Sequence, residues 1–200
     1  IMGLFMRVFD FPTAPVIIGM ILGPLAEQEF RRAMTISQGD MSVFLTRPLS
    51  ATLIAIEQLL ETAGVSQLLP DWAERSRRET ILADLRSLES QAQPLALRRT
   101  APTSAEVFGI LYVLEGSRMG ARVLLEQVLA SADERVRSAS AYLRHGQANL
   151  WRTFLEQLET HQAADDQTQT VSGAVYAFTM FIRAFSQAAA DLGHRTAPAA

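Results

Sequence analysis

Beyond residue 55, apolar residues recur at helical spacing along most of the chain. Ile56, Leu59, Leu60 and Ala63 share one face of a helix, and Gly64 offers it a C-terminal stop. The segment LLPDWAERSRRETILADLRSL predicts a second helix, with Trp72, Ile81, Leu82, Leu85 and Leu88 on its apolar side. Asp71 followed by Glu74 has the form of a capping box. Thr103 with Glu106, and Ser131 with Glu134, repeat that form. They open helices predicted over about 104–130 and from Ser131 to about 160, the latter through Val136, Leu143, Leu150, Phe154 and Leu158. A last helix is predicted from about 170 to 190, with Val171, Val175, Phe178, Phe181, Ile182 and Phe185. Residues 91–102 read as a loop and HQAADDQTQ as a polar connection. Sustained period-two alternation, hairpin signals and internal repeats are absent from the sequence. The pattern predicts an all-α fold.

The first quarter of the chain has a different character. Residues 1–56 carry eight charges, four of each sign, against 31 in residues 57–200, and five of the seven methionines fall in the first 41 positions. From Phe11 to Ala26 the sequence FPTAPVIIGMILGPLA has no charge. It falls short of the roughly 20 residues a helix needs to span hydrocarbon, and Pro12, Pro15, Pro24, Gly19 and Gly23 interrupt it. A short buried helix and a broken or re-entrant membrane segment both fit. A signal peptide fits poorly, because the basic leading segment is weak and no clear cleavage site follows.

Two hundred residues suffice for one domain or slightly more, and 48% hydrophobic content suffices for a core. A net charge of -3 argues against nucleic acid, which needs a concentrated basic face. The absence of cysteine removes disulfides, thiolate metal sites and cysteine nucleophiles. The histidines are His145, His161 and His194, so a multi-histidine metal site would need almost all of them. No phosphate loop, H-E-x-x-H pair or G-x-S-x-G elbow occurs. Asp165–Asp166 and the arginines at 75–78 and 98–99 are expected to be solvated surface.

The helix predicted over 104–130 holds three glycines, Gly109, Gly116 and Gly120, each costing about 0.5–1 kcal/mol relative to alanine. At about 100° per residue they form one stripe. Spacing alone leaves three readings: close packing of another helix, a flat ligand laid across the backbone, or mere tolerance. Glu115, Arg118 and Arg122 argue against a membrane-spanning version.

Two resemblances extend these readings. Residues 3–51, with FPTAP, LGPLAE, RRAM…SQGD and FLTRP, resemble the C-terminal part of the tripartite tricarboxylate transporter large membrane subunit. Transport by this chain alone is not expected from such a tail. FGILYVLEGSRMGARVL, preceded by the LPDW segment, is similar to the distal-helix region of bacterial haem oxygenases of the biliverdin-producing, bacteriophytochrome-associated type. This second resemblance covers about residues 53–190. It implies a helical bundle in which haem, both substrate and cofactor, lies between a proximal helix bearing a histidine and a flexible distal helix. It further implies that Gly116 and Gly120 approach the haem face, with Ser117 beside the pocket and Tyr112 in its wall. Ala121 stands where a second consecutive glycine is usual. Phe178 becomes a wall candidate and Arg183 a partner for a haem propionate.

The implied reaction cleaves haem to biliverdin, carbon monoxide and iron, using O₂ and an electron donor such as a ferredoxin or another reductant. A bacteriophytochrome pathway is the implied setting, the helical domain is expected to be cytoplasmic, and membrane contact through residues 1–30 is left open. The expected organisation is a transporter-like segment over 1–52, a haem-oxygenase-like domain over 53–190 and a disordered tail over 191–200. The family's usual first helix is expected to be missing, since residues 1–51 contain no histidine. The three histidines present are expected to face solvent, leaving no metal ligand and impaired catalysis.

Overall fold

The structure is a computed structural model and describes residues 47–90, 100–146, 149–162 and 167–196. The FPTAP segment, Arg98, Arg99, Asp165, Asp166 and the tail from Ala197 lie outside them. Every regular element among the described residues is a helix: α1 Arg47–Thr62, α2 Val65–Leu68, α3 Trp72–Arg75, α4 Arg78–Ser87, α5 Ser104–Leu129, α6 Glu134–Ser138, α7 Ala141–Arg144, α8 Leu150–Gln162 and α9 Gln167–Thr196. None of them is long and apolar enough to cross a membrane.

α1 begins six residues ahead of the boundary expected at 53 and buries Leu49, Leu53, Ile56, Leu59 and Leu60. Among the described residues it is the long helix that precedes the LPDW segment, as the spacing of Ile56, Leu59, Leu60 and Ala63 predicts. After α1 the chain turns at Gly64, whose φ of 76° lies in the left-handed region that glycine enters without cost. The helix predicted through LPDW is broken. Asp71 forms no cap bond; its carboxylate instead takes Arg75 Nε and Nη2 at 2.8 and 2.7 Å, and the chain leaves the helix at Ser76.

The capping box at Thr103 forms as predicted, with the threonine hydroxyl and the Glu106 carboxylate satisfying each other's backbone amides. The helix predicted from Ser131 to 160 does not form as one piece. Its N-cap is Asp133 rather than Ser131, and the segment divides into α6, α7 and α8. Asp84 of α4 accepts the backbone amides of Ala141 and Tyr142, both at 2.8 Å, which ties the start of α7 to α4. Burial raises the Asp84 pKa, opposed by those two amides.

The core packs α1, α4, α5, α8 and α9 around Ile56, Leu60, Ile110, Leu111, Leu114, Phe154 and Leu158. Its tightest contact is the crossing of α5 and α9 at paired glycines. A β carbon on Gly109 would collide with the Thr170 carbonyl, and one on Gly173 with the Glu106 carbonyl. Each helix thus presents a bare backbone to the other, which is what close helix packing requires.

Candidate functional site

The glycine stripe of α5 has two jobs, divided along its length. Gly109 is consumed by the crossing with α9. About two to three turns later the backbone is free: at Gly116 an added β carbon would meet only the Trp151 indole, at 3.8 Å, and at Gly120 it would meet nothing within 4 Å. Ser117, between them, is exposed. This uncovered stretch admits a flat group against the backbone of α5.

The surroundings hold that stretch in place. Tyr112, one turn earlier, is half-buried against Trp151 with ring centroids 5.4 Å apart, and burial raises its phenol pKa. The Ser117 hydroxyl donates to the Leu114 carbonyl at 2.6 Å, and Arg77 Nη2 donates to the same carbonyl at 3.0 Å. Arg77 also reaches the Ser117 hydroxyl at 3.4 Å and lies over the Tyr142 ring, 4.7 Å from its centroid. Its own backbone amide donates to Glu57 of α1, whose carboxylate is also bonded by the Ser76 hydroxyl. One residue therefore joins α1 to the glycine-bearing part of α5.

Beneath it lies a second buried cluster. Arg75 and Glu115 pair at 2.9 Å with side chains 0% and 2% exposed. Arg75 also binds Asp71, the Leu150 carbonyl and the Thr153 hydroxyl, while Arg118 forks onto both Glu115 oxygens. The arginine run 75–78, expected to be solvated, is thus buried at Arg75 and Arg77. Sequence reading missed this cluster. Its one trace was Glu115 and Arg118, opposite charges three residues apart in the middle of α5.

The remaining expected site residues are scattered. Ala121 turns away from Gly120 and is buried with Val128 and Leu143. Phe178 is half-buried against Ala174, and Arg183 is exposed on α9. The histidines also depart from expectation. His161 does not face solvent but stacks on Phe108 at 4.1 Å, because the end of α8 lies across α5. His145 is half-buried, its Nδ1 3.5 Å from Arg118 Nη1. Burial, then Arg118 and Arg77, lowers its pKa. Neither lies on α1, and α1 contains no histidine. Among the described residues no cluster of three histidines or carboxylates could hold a metal ion.

Residues 45–187 match the family model described as Heme oxygenase. The chain belongs to the haem oxygenase family. The match takes in α1 as well as the glycine-bearing α5. The chain is 28% identical over 131 residues to Heme oxygenase PigA of Pseudomonas aeruginosa, which covers 63% of this chain and 66% of that protein. It is 42% identical over 71 residues to an uncharacterized 52.8 kDa protein in the TAR-I ttuC' 3' region of Agrobacterium vitis, and 39% identical over 71 residues to an uncharacterized protein in the TAR-II ttuC' 3' region. Those two similarities cover 36% of this chain but only 13% and 27% of the relatives. Within the family match, the stretch from Gly116 to Gly120 leaves the α5 backbone uncovered and α1 contains no histidine.

Proposed function

We propose that this chain is a haem-binding haem oxygenase with its distal half in place and its axial ligand lost, so that haem binds weakly and turns over little. The observation that carries the reading is the free α5 backbone at Gly116 and Gly120, inside a family match that includes the histidine-free α1. In the intact reaction haem is the substrate, cleaved to biliverdin, carbon monoxide and iron with O₂ and reductant-supplied electrons. Here Gly116 and Gly120 would let the ring approach, Tyr112 and Trp151 would wall it, and Ser117 and Arg77 would fix the helix beside it. Ala121, Phe178 and Arg183 would serve only as outlying contacts.

Hemin titration followed by absorbance tests this. The expected result is a weak, broad Soret band that sharpens and shifts when free imidazole supplies the missing ligand, with little biliverdin after addition of reductant. A tight, sharp complex without imidazole would sink the claim of a lost ligand, and no binding under either condition would sink haem binding.

A second reading concerns origin. The resemblance of residues 3–51 to the transporter subunit motivates a transporter-like N-terminal segment joined to the family's helical domain. Sequencing the source DNA across codons 45–60 tests it: a junction absent from that DNA would make the chain an assembly product.

A further inference from the structure

On the side of α5 away from Gly120, a cavity of about 450 Å³ opens between the second half of α5 and the turn from α7 to α8. Its wall includes Arg118, Arg122, Arg144 and His145, with Met119 and Trp151 as apolar surface. Among the described residues no carboxylate lines it.

The charges there do not cancel. Arg75 and Arg118 are matched by Asp71 and Glu115. Arg122 and Arg144 form no ion pair among the described residues. Arg144 Nε bonds the neutral Ser140 hydroxyl at 3.1 Å. Glu126, one turn beyond Arg122, is exposed and does not pair with it. The neighbouring imidazole of His145 is disfavoured in its charged form by burial, then by Arg118 and Arg77, with Glu115 opposing. Concave sites of this size, mostly apolar with a few convergent polar groups, are the usual form of small-molecule pockets. Two unpaired guanidinium groups add the fork geometry that matches an oxyanion.

We propose that this cavity binds a small molecule carrying an oxyanion on an apolar body, the anion held by Arg122 and Arg144 and the body laid against Trp151 and Met119. The site is lined by a different side of α5 from Gly116 and Gly120, shares Trp151 with the stretch proposed for haem, and does not depend on that reading.

The test uses anilinonaphthalene sulfonate as a probe of this chemistry and inorganic phosphate as a competitor. Saturable binding with energy transfer from tryptophan is expected, reversed by phosphate. Arg122→Gln with Arg144→Gln should weaken it by about tenfold or more, as loss of charged hydrogen bonds does. Both side chains are exposed, so an unchanged circular dichroism spectrum is expected for the double variant. Equal affinity in the double variant would overturn the proposal. So would loss of the probe on Gly120→Phe with retention in the arginine variant, which would move the probe to the other side of the helix.

Discussion

At the scale of single residues, the buried charges decide how firmly α5 is held. Glu115 answers two arginines from 1–2% exposure, so truncating it takes from Arg118 its carboxylate and from the buried Arg75 one of two, Asp71 remaining. Breaking such a pair costs about 3–5 kcal/mol. Glu115→Ala should lower urea stability by that amount, and Glu115→Gln, which keeps the acceptor oxygen, by less. Asp71 carries the pH dependence. Its hydrogen bond to Arg75 holds its pKa below the ordinary 3.8, with burial opposing. A folded value below the unfolded one stabilises the fold above pH 3.8, and that contribution fades as pH falls through the folded value. Asp71→Asn should therefore cost stability at neutral pH, with the gap to wild type closing under acid; a constant gap down to the acid limit would contradict this. Beyond the Glu115–Arg118 spacing the cluster was not legible beforehand, because Arg75 and Glu115 are 40 residues apart and a run of arginines reads locally as surface.

At the scale of elements, the helix starts were legible only where a local rule fully determines them. Thr103 and Glu106 met such a rule, and Thr103→Ala should cost about 1 kcal/mol. Ser131 and Glu134 matched the same pattern and failed, because Asp133 caps the helix more closely and Asp84, from α4, captures the backbone at Ala141 and Tyr142. The glycine stripe was visible as a stripe, but its division needed the partner helix. Only α9, through Thr170 and Gly173, shows that Gly109 serves packing. Gly109→Ala should accordingly destabilise by about 1–3 kcal/mol or more, the cost of overpacking a tight contact. Gly120→Ala meets nothing and should instead stabilise by about 0.5–1 kcal/mol through helix propensity. If Gly120 lies against haem, that same variant should bind hemin more weakly than wild type. Thermal melts beside hemin titrations would separate the two effects.

At the scale of the whole molecule, the all-α bundle was readable because helical periodicity survives in each segment, whereas the join between first helix and bundle was not. The composition break near residue 56 pointed to a boundary inside what the structure shows as one continuous helix, α1. That helix contributes Leu53, Ile56 and Leu60 to the core and Glu57 to the bond with Arg77, so it can support the bundle without supplying an iron ligand. Stability and ligation then come apart, and ligand-linked stabilisation measures the separation. A ligand at 100 times its Kd stabilises the folded state by about 2.7 kcal/mol. Hemin alone, bound weakly, should shift the melting temperature little, while hemin with free imidazole should shift it clearly. His161 could short-circuit this only by leaving its stack on Phe108. His161→Ala should therefore leave the hemin-induced shift unchanged, and a shift that vanishes in this variant would identify His161 as the ligand and restore a complete site to the chain.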